Sequence, residues 1–286
     1  MKLGITQRLK VTRSTDYGVY LADVFPSDDT ENELNVPDVL LPKNQAGDYC
    51  KDDIVNVFIY KDSEDRPVAT TATPLITLGE VAVLKCKEVT RIGAFLDWGL
   101  TKDLLLPFRE QTKKIEKGED VLVALYIDKT GRLCATMKVY HYLKKDSPYS
   151  KDDRVSGTVY EVSGNFGTFV AVDNMYSAMI PKKELFHPIP IGARISARVV
   201  KVLDDGKLTL SCREKSFVQM DADARLIMLS LKSAGGFLPF HDKSTPEEIK
   251  ERFGLSKAAF KRAIGTLYKN GEIVISETGI TLNNQD

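Results

Sequence analysis

The amino-acid sequence predicts a mainly β, multidomain chain: three tandem five-stranded barrels followed by a C-terminal α/β winged helix-turn-helix. Three observations carry that expectation. A glycine, any residue, an aromatic and an aliphatic recur in DYGVYL, RIGAFLD and NFGTFVAV, where Gly18, Gly93 and Gly167 are spaced by 75 and then 74 residues. Apolar runs ending in proline keep the same phase, at VLLP, LLLP and AMIP, closing on Pro42, Pro107 and Pro181. After about Met220 the strand pattern stops and helical spacing begins. A repeat of domain size is the signature of an array of small folded units.

The chain has 286 residues, 43% of them hydrophobic and 28% charged, which fits a folded soluble protein. No stretch approaches the roughly 20 continuous apolar residues of a membrane span. The opening MKLGITQRLKV has no apolar core behind its first charge, so a cytoplasmic protein with no membrane association is expected. Cys50, Cys86, Cys134 and Cys212 lie far apart, without the paired short spacing of zinc or redox sites, and read as buried reduced thiols. His141, His187 and His241 sit in no nucleophile, metal or phosphate-loop motif. No catalytic, metal or cofactor site is expected.

Within each unit the elements follow in one order. The glycine strand comes first, then the strand ending in proline. KDDIVNVFIY, KGEDVLVALYID and IGARISARVVKV supply the next strand, and PVATT, LCATM and LTLSC the last. With the strand preceding the glycine, this makes five short strands, which suit a small barrel better than a sandwich. The units are residues 1–73, 74–145 and 146–220, with the winged helix over 221–286. In the first unit, residues 26–38 (PSDDTENELNVPD) are acidic and proline-bounded and read as a surface loop.

Side chains alternate along a strand, so Val19 and Leu21, Ala94 and Leu96, and Thr168 and Val170 share the core face. Trp98 and Val172 extend it. Tyr20, Phe95 and Phe169 fall on the other face with the glycines, whose missing side chain admits either a flat ligand or another backbone. An aromatic held on an otherwise noncore face in three copies suggests a base-stacking platform. A barrel strand buried on both faces is the alternative.

This arrangement resembles the S1-type RNA-binding domain, which has the five-stranded oligonucleotide-binding (OB) fold. The resemblance implies an RNA face of three parts: an aromatic just before the glycine, the aromatic two after it, and a basic residue near the last hairpin. These are Tyr17 and Tyr20 in the first unit and Phe166 and Phe169 in the third, while the second offers Phe95 but has Ile92 in place of the earlier aromatic. The hairpins carry Asp62 with Arg66, Asp128 with Arg132, and Asp204 with Lys207. Pro42, Pro107 and Pro181 stand where many members of that family have histidine, so one polar contact is missing from each unit. Tandem copies compensate by raising effective concentration.

Farther on, Thr245, Pro246 and Glu248 form a capping box with proline at the first helical position. Ser256 caps the next helix, KAAFKRAIGTLYK, which ends at Asn270 and Gly271. Ala259, Phe260, Ala263, Ile264 and Leu267 share its apolar side; Lys257, Lys261, Arg262 and Lys269 make a basic front. EIVISETGITL then reads as two strands, placing this helix in the recognition position of a winged helix.

The order of units, with the runs LPFHDKSTPEEI and SKAAFKRAIGTLYKNG, resembles the conserved virulence factor B family of bacterial RNA-binding proteins. That resemblance implies a protein without an enzymatic domain that binds RNA in the regulation of gene expression, virulence genes in pathogens among them. The expected partner is single-stranded RNA and the expected state a monomer. Two other readings stay open: a regulator binding DNA through its winged helix, and an adaptor docking ribosome or polymerase components.

Charge ranks the units. The whole chain carries 40 basic and 40 acidic residues, but residues 1–73 have a net charge of −5, residues 74–145 of +4, residues 146–220 of +1 and the remainder of 0. Phosphate binding favours positive surfaces, so the second and third barrels are the expected anchors. Lys85, Lys87, Arg91 and Arg132 are the cations expected around Phe95, and Arg198, Lys201 and Lys207 those expected around Phe166 and Phe169.

Overall fold

Each barrel opens with a strand that a one-residue bulge bends around its own core. The first uses β1 (Thr6–Thr15), β2 (Gly18–Asp23) and β3 (Val39–Pro42), a single helical turn α1 (Lys43–Ala46), then β4 (Ile54–Lys61) and β5 (Pro67–Thr70). The second repeats this with β6 (Val81–Val89), β7 (Gly93–Asp97), β8 (Leu104–Pro107), β9 (Asp120–Ile127) and β10 (Leu133–Thr136). The third has β11 (Arg154–Ser163), β12 (Gly167–Val172), β13 (Tyr176–Pro181), β14 (Arg194–Val202) and β15 (Leu208–Ser211). The computed structural model describes residues 1–24, 34, 36–185, 188–212 and 216–283. Most of the expected acidic loop at 26–38 lies outside the described residues, as does His187.

Strand order is β1-β2-β3-β5-β4 in the first barrel and β11-β12-β13-β15-β14 in the third, both closed by a parallel pairing of the third and fifth strands. The second has the equivalent order β10-β9-β6-β7-β8, with β8 and β10 as its two edges. The bulges fall at equivalent places, between Val11 and Arg13, Cys86 and Glu88, and Val159 and Glu161. A bulge sharpens strand twist, which a small barrel needs in order to close.

Two local devices recur in all three. Gly18, Gly93 and Gly167 adopt φ of +141°, +152° and +132°, and a Cβ on them would lie 2.1, 2.3 and 2.1 Å from the carbonyl oxygens of Leu41, Leu106 and Ile180. Of the two readings of these glycines, backbone approach is the one the geometry supports: each is buried against the strand that ends in proline. The second device follows that proline, where a helical turn delivers a polar side chain to the end of the fifth strand. Gln45 accepts from the Thr70 hydroxyl at 2.7 Å, Glu110 from Thr136 at 2.8 Å and Glu184 from Ser211 at 2.8 Å. All three hydroxyl residues are buried, so these bonds satisfy polar groups that water does not reach. The pattern is readable as PKNQ, PFRE and PKKE.

The barrels share apolar surface. Trp98 is buried as expected, but it packs edge-on against two aromatics of the first barrel, Phe58 at 5.7 Å and Tyr60 at 6.3 Å between ring centroids. The run VLVAL in β9 is buried on both faces: Val121, Val123 and Leu125 fill the second core, while Leu122 and Ala124 join Tyr160 and Ala171 of the third barrel. These interfaces make Met1–Cys212 one compact unit.

The other unit, Arg213–Asp286, contains α2 (Ser216–Ser233), β16 (Phe237–Leu238), α3 (Pro246–Phe253), α4 (Lys257–Lys269), β17 (Ile273–Ile275) and β18 (Ile280–Leu282). The capping box at Thr245 and Glu248 and the Ser256 cap are both formed. The first helix begins at Ser216, ahead of the start expected after about Met220, since no proline or glycine interrupts the intervening residues. Sequence reading missed β16, which pairs with β18; two residues are too few to display alternation. Two of the four cysteines, Cys50 and Cys212, are exposed rather than buried. No described helix is long and apolar enough to cross a membrane.

Gly167→Ala is expected to destabilise the protein by more than about 1 kcal/mol, because it adds both backbone strain and overlap with a carbonyl. Gly164→Ala, with open space around it and no positive φ, serves as the near-neutral control in urea unfolding. Trp98→Ala is expected to cost about 3 to 5 kcal/mol and to lower the unfolding midpoint of the 1–212 unit.

Candidate nucleic-acid interface

The bulge determines what stands beside each platform aromatic. It pairs Tyr20 with Arg13, Phe95 with Glu88 and Phe169 with Glu161. All three aromatics are half-buried and lie outside their own barrels' core clusters, Phe169 packing against the cluster between the second and third barrels with its ring 6.2 Å from that of Tyr160. Tyr17 and Phe166, in the turns before the glycines, are instead 77% and 66% exposed. Identical topology therefore yields three different surfaces.

In the first barrel the Arg13 guanidinium lies 3.7 Å from the centroid of the Tyr20 ring and is ion-paired to Asp38 at 3.1 Å. One face of that ring is thus already stacked on a cation. Arg66 turns back onto Asp62 at 2.8 Å within its own hairpin.

In the second barrel Phe95, Ile92, Leu105 and Arg132 line a pocket of about 210 Å³, and the hairpin of the first barrel forms another wall through Tyr60 and Asp65. Arg132 is ion-paired to Asp65, and Lys102 Nζ donates to the carbonyls of Asp62 at 2.7 Å and Lys61 at 3.2 Å. Lys85 pairs with Asp120 and Lys87 with Asp103, both at 2.8 Å, and neither they nor the exposed Arg91 line this pocket. Of the four cations expected around Phe95, the structure brings Arg132 alone to its pocket.

The third barrel gathers more of its expected residues. Strand register sets Glu161, Phe169, Met179, Thr209 and Lys201 in one row across the sheet. Phe166, Phe169, Met179 and Lys207 line a pocket of about 260 Å³. Lys207 is ion-paired to Asp205 at 2.8 Å rather than to Asp204, the residue expected from the hairpin pattern. Its ammonium pKa is raised by hydrogen bonds to Asp205 and then to the Tyr140 hydroxyl. Arg198 stands two ladder positions from the row, opposite Ser211, and is held by Asp152 at 2.8 Å. Among the described residues Lys201 forms no ion pair and is exposed.

Met179 and Tyr140 are among the residues of this pocket that were not foreseen. Met179 is the strand partner of Phe169 and follows from register once the barrel is closed. Tyr140 belongs to the segment between barrels, and its one sequence signal is an aromatic in the basic stretch KVYHYLKK.

In the winged-helix unit α4 buries Phe260, Ala263, Ile264 and Leu267. Lys261, Arg262 and Lys269 are exposed and Lys257 is half-buried at the first turn. Lys261 Nζ lies 3.8 Å from Asp242, and Tyr268 adds a 58% exposed aromatic to the same helix. Among the described residues no group of three or more His, Cys, Asp or Glu side chains is gathered to hold a metal ion.

Comparison with known proteins agrees with this architecture. Residues 3–72 and 78–138 match the S1 domain, residues 139–214 the second domain of the virulence regulatory factor CvfB, and residues 225–282 the CvfB-like winged helix domain. The S1 and winged helix domains are of nucleic-acid-binding types and are not enzymatic families. The chain is 32% identical over 292 residues to the uncharacterized protein YitL of Bacillus subtilis, covering 98% of this chain and 93% of that one. It is 33% identical over 235 residues to conserved virulence factor B of Staphylococcus epidermidis, covering 79% of this chain and 78% of that protein. A crystal structure of a multidomain protein with nucleic acid binding domains from Streptococcus pneumoniae superposes with a TM-score of 0.51 at 25% identity, over 98% of each chain. With relatives at this identity over most of their length, and with its barrels and winged helix matched in chain order, the protein belongs to the conserved virulence factor B family.

Proposed function

We propose that the protein binds single-stranded RNA on its third barrel and acts in the post-transcriptional regulation of gene expression, of virulence genes where the organism is a pathogen. The observation that carries this reading is the convergence of Phe166, Phe169 and Lys207 on one pocket, with Lys201 in the same cross-strand row as Phe169. Aromatic faces take up unpaired bases whatever their identity, at about 1 to 3 kcal/mol per stack, and lysines neutralise phosphates. The pairing of Lys207 with Asp205 is no obstacle, since exposed ion pairs contribute only about 0 to 1 kcal/mol and a phosphate can replace the carboxylate. The first barrel is a weaker anchor, with its net charge of −5 and Arg13 already over Tyr20. In the second, the hairpin of the first barrel occupies one side of the platform. The reading takes the protein as a cytoplasmic monomer without enzymatic activity.

A second reading draws on α4, whose exposed Lys261, Arg262 and Lys269 occupy the position from which winged helices enter a major groove. In that case duplex DNA displaces single-stranded RNA in competition, and Lys261→Ala with Arg262→Ala abolishes the difference.

The primary test is the full-length Phe166→Ala, Phe169→Ala double variant, with affinity for a labelled single-stranded RNA measured by fluorescence anisotropy. A loss of about 1 to 3 kcal/mol per stack is expected; wild-type affinity in a folded variant contradicts the reading. Titration at several salt concentrations gives an independent check, with log affinity expected to fall linearly against log salt. A flat response speaks against phosphate contact.

A further inference from the structure

We infer that Tyr140, from the segment joining the second and third barrels, is a third aromatic wall of the third-barrel pocket and that the pocket takes one unpaired nucleobase between it and the Phe166–Phe169 pair. The inference rests on the RNA-binding reading and adds to it a residue outside the OB-fold strands.

The position of Tyr140 is built, not incidental. Its segment is strapped to the third barrel by backbone bonds from Lys144 N to Met175 O at 2.7 Å and from Ser177 N to Lys144 O at 2.9 Å. Val139 and Leu143 are buried on either side of it, among Leu122, Tyr160 and Ala171. The same segment presses on the last hairpin: a Cβ on Gly206 would lie 2.0 Å from Lys145 O, so φ of +80° and the lack of a side chain there are both needed. A short 3-10 turn, Val139–Tyr142, thus presents its tyrosine at a fixed place while the residues around it are anchored.

The tyrosine has the properties of a binding wall. It is 40% exposed, lines the same pocket as the two phenylalanines, and has Lys207 Nζ 5.8 Å from its ring centroid. A mostly apolar pocket of about 260 Å³ with a lysine in its lining suits a nucleobase followed by its phosphate. A paired base cannot enter without leaving its stack, which selects single strands. Anchoring the ring beforehand also lowers the ordering cost of binding.

The test uses the full chain and a fluorescein-labelled 12-nucleotide oligouridine, alongside an RNA of the same length carrying one 2-aminopurine, whose fluorescence is quenched on stacking. Tyr140→Phe is expected to bind within about twofold of wild type, and Tyr140→Leu, which keeps apolar bulk without a flat ring, to lose about tenfold and most of the added quenching. Full affinity and quenching in Tyr140→Leu, with Phe166→Ala, Phe169→Ala still defective, overturns the inference and leaves RNA binding by the third barrel intact. Failure of the wild-type protein to bind either RNA overturns both.

Discussion

The close approach of a glycine to the carbonyl facing it is the contact on which each barrel depends. At Gly18, Gly93 and Gly167 the second strand crosses so near the end of the third that no side chain fits between them. That approach locks the pairing of Gly18 with Pro42, Gly93 with Pro107 and Gly167 with Pro181. Once the register is locked, the residue two positions on must point outward, because side chains alternate. The proline in turn ends the strand and starts the turn whose Gln45, Glu110 or Glu184 ties down the fifth strand. Register of the second and third strands and direction of the aromatic therefore follow from one steric constraint.

What surrounds that aromatic is set by a different kind of contact. The barrels pack side by side through Trp98 and through the doubly buried β9, and this packing uses up part of the surface that the repeat would otherwise leave free. On the second barrel the hairpin of the first contributes Asp65, which takes Arg132. On the third, the preceding segment contributes Tyr140 instead, an aromatic where the second barrel has a carboxylate. The barrel that the S1 domain itself does not match, residues 139–214, is the one with the fullest aromatic face. Fold and surface equipment are separable because the core face of each strand builds the barrel, while the residues on its other face are free to differ.

Charge is distributed so that most cations near the platforms have a carboxylate partner. Such exposed pairs contribute little to stability and leave net charge near zero, which suppresses indiscriminate attraction to polyanions. They also remain exchangeable, because an exposed pair holds its partners only weakly. Lys207 shows the arrangement well: it is ion-paired to Asp205 at 2.8 Å, which raises its pKa, and it also lines the pocket of Phe166 and Phe169.

The sequence by itself determined the number of barrels, their strand order within each repeat, the outward direction of Tyr20, Phe95 and Phe169, and the caps of α3 and α4. These are local properties, readable from a two-residue alternation, from glycine and proline chemistry, and from side chains that bond within one helical turn. Only the tertiary structure decided that the glycines serve backbone approach, that Arg13 covers Tyr20, that Arg198 turns to Asp152, and that Tyr140 joins Phe166 and Phe169. Each of those outcomes depends on groups that chain closure and barrel packing bring together, with separations that vary from one repeat to the next. A periodic pattern records what the units have in common; the differences among their surfaces arise from the residue each bulge sets beside the aromatic and from the neighbours each unit packs against.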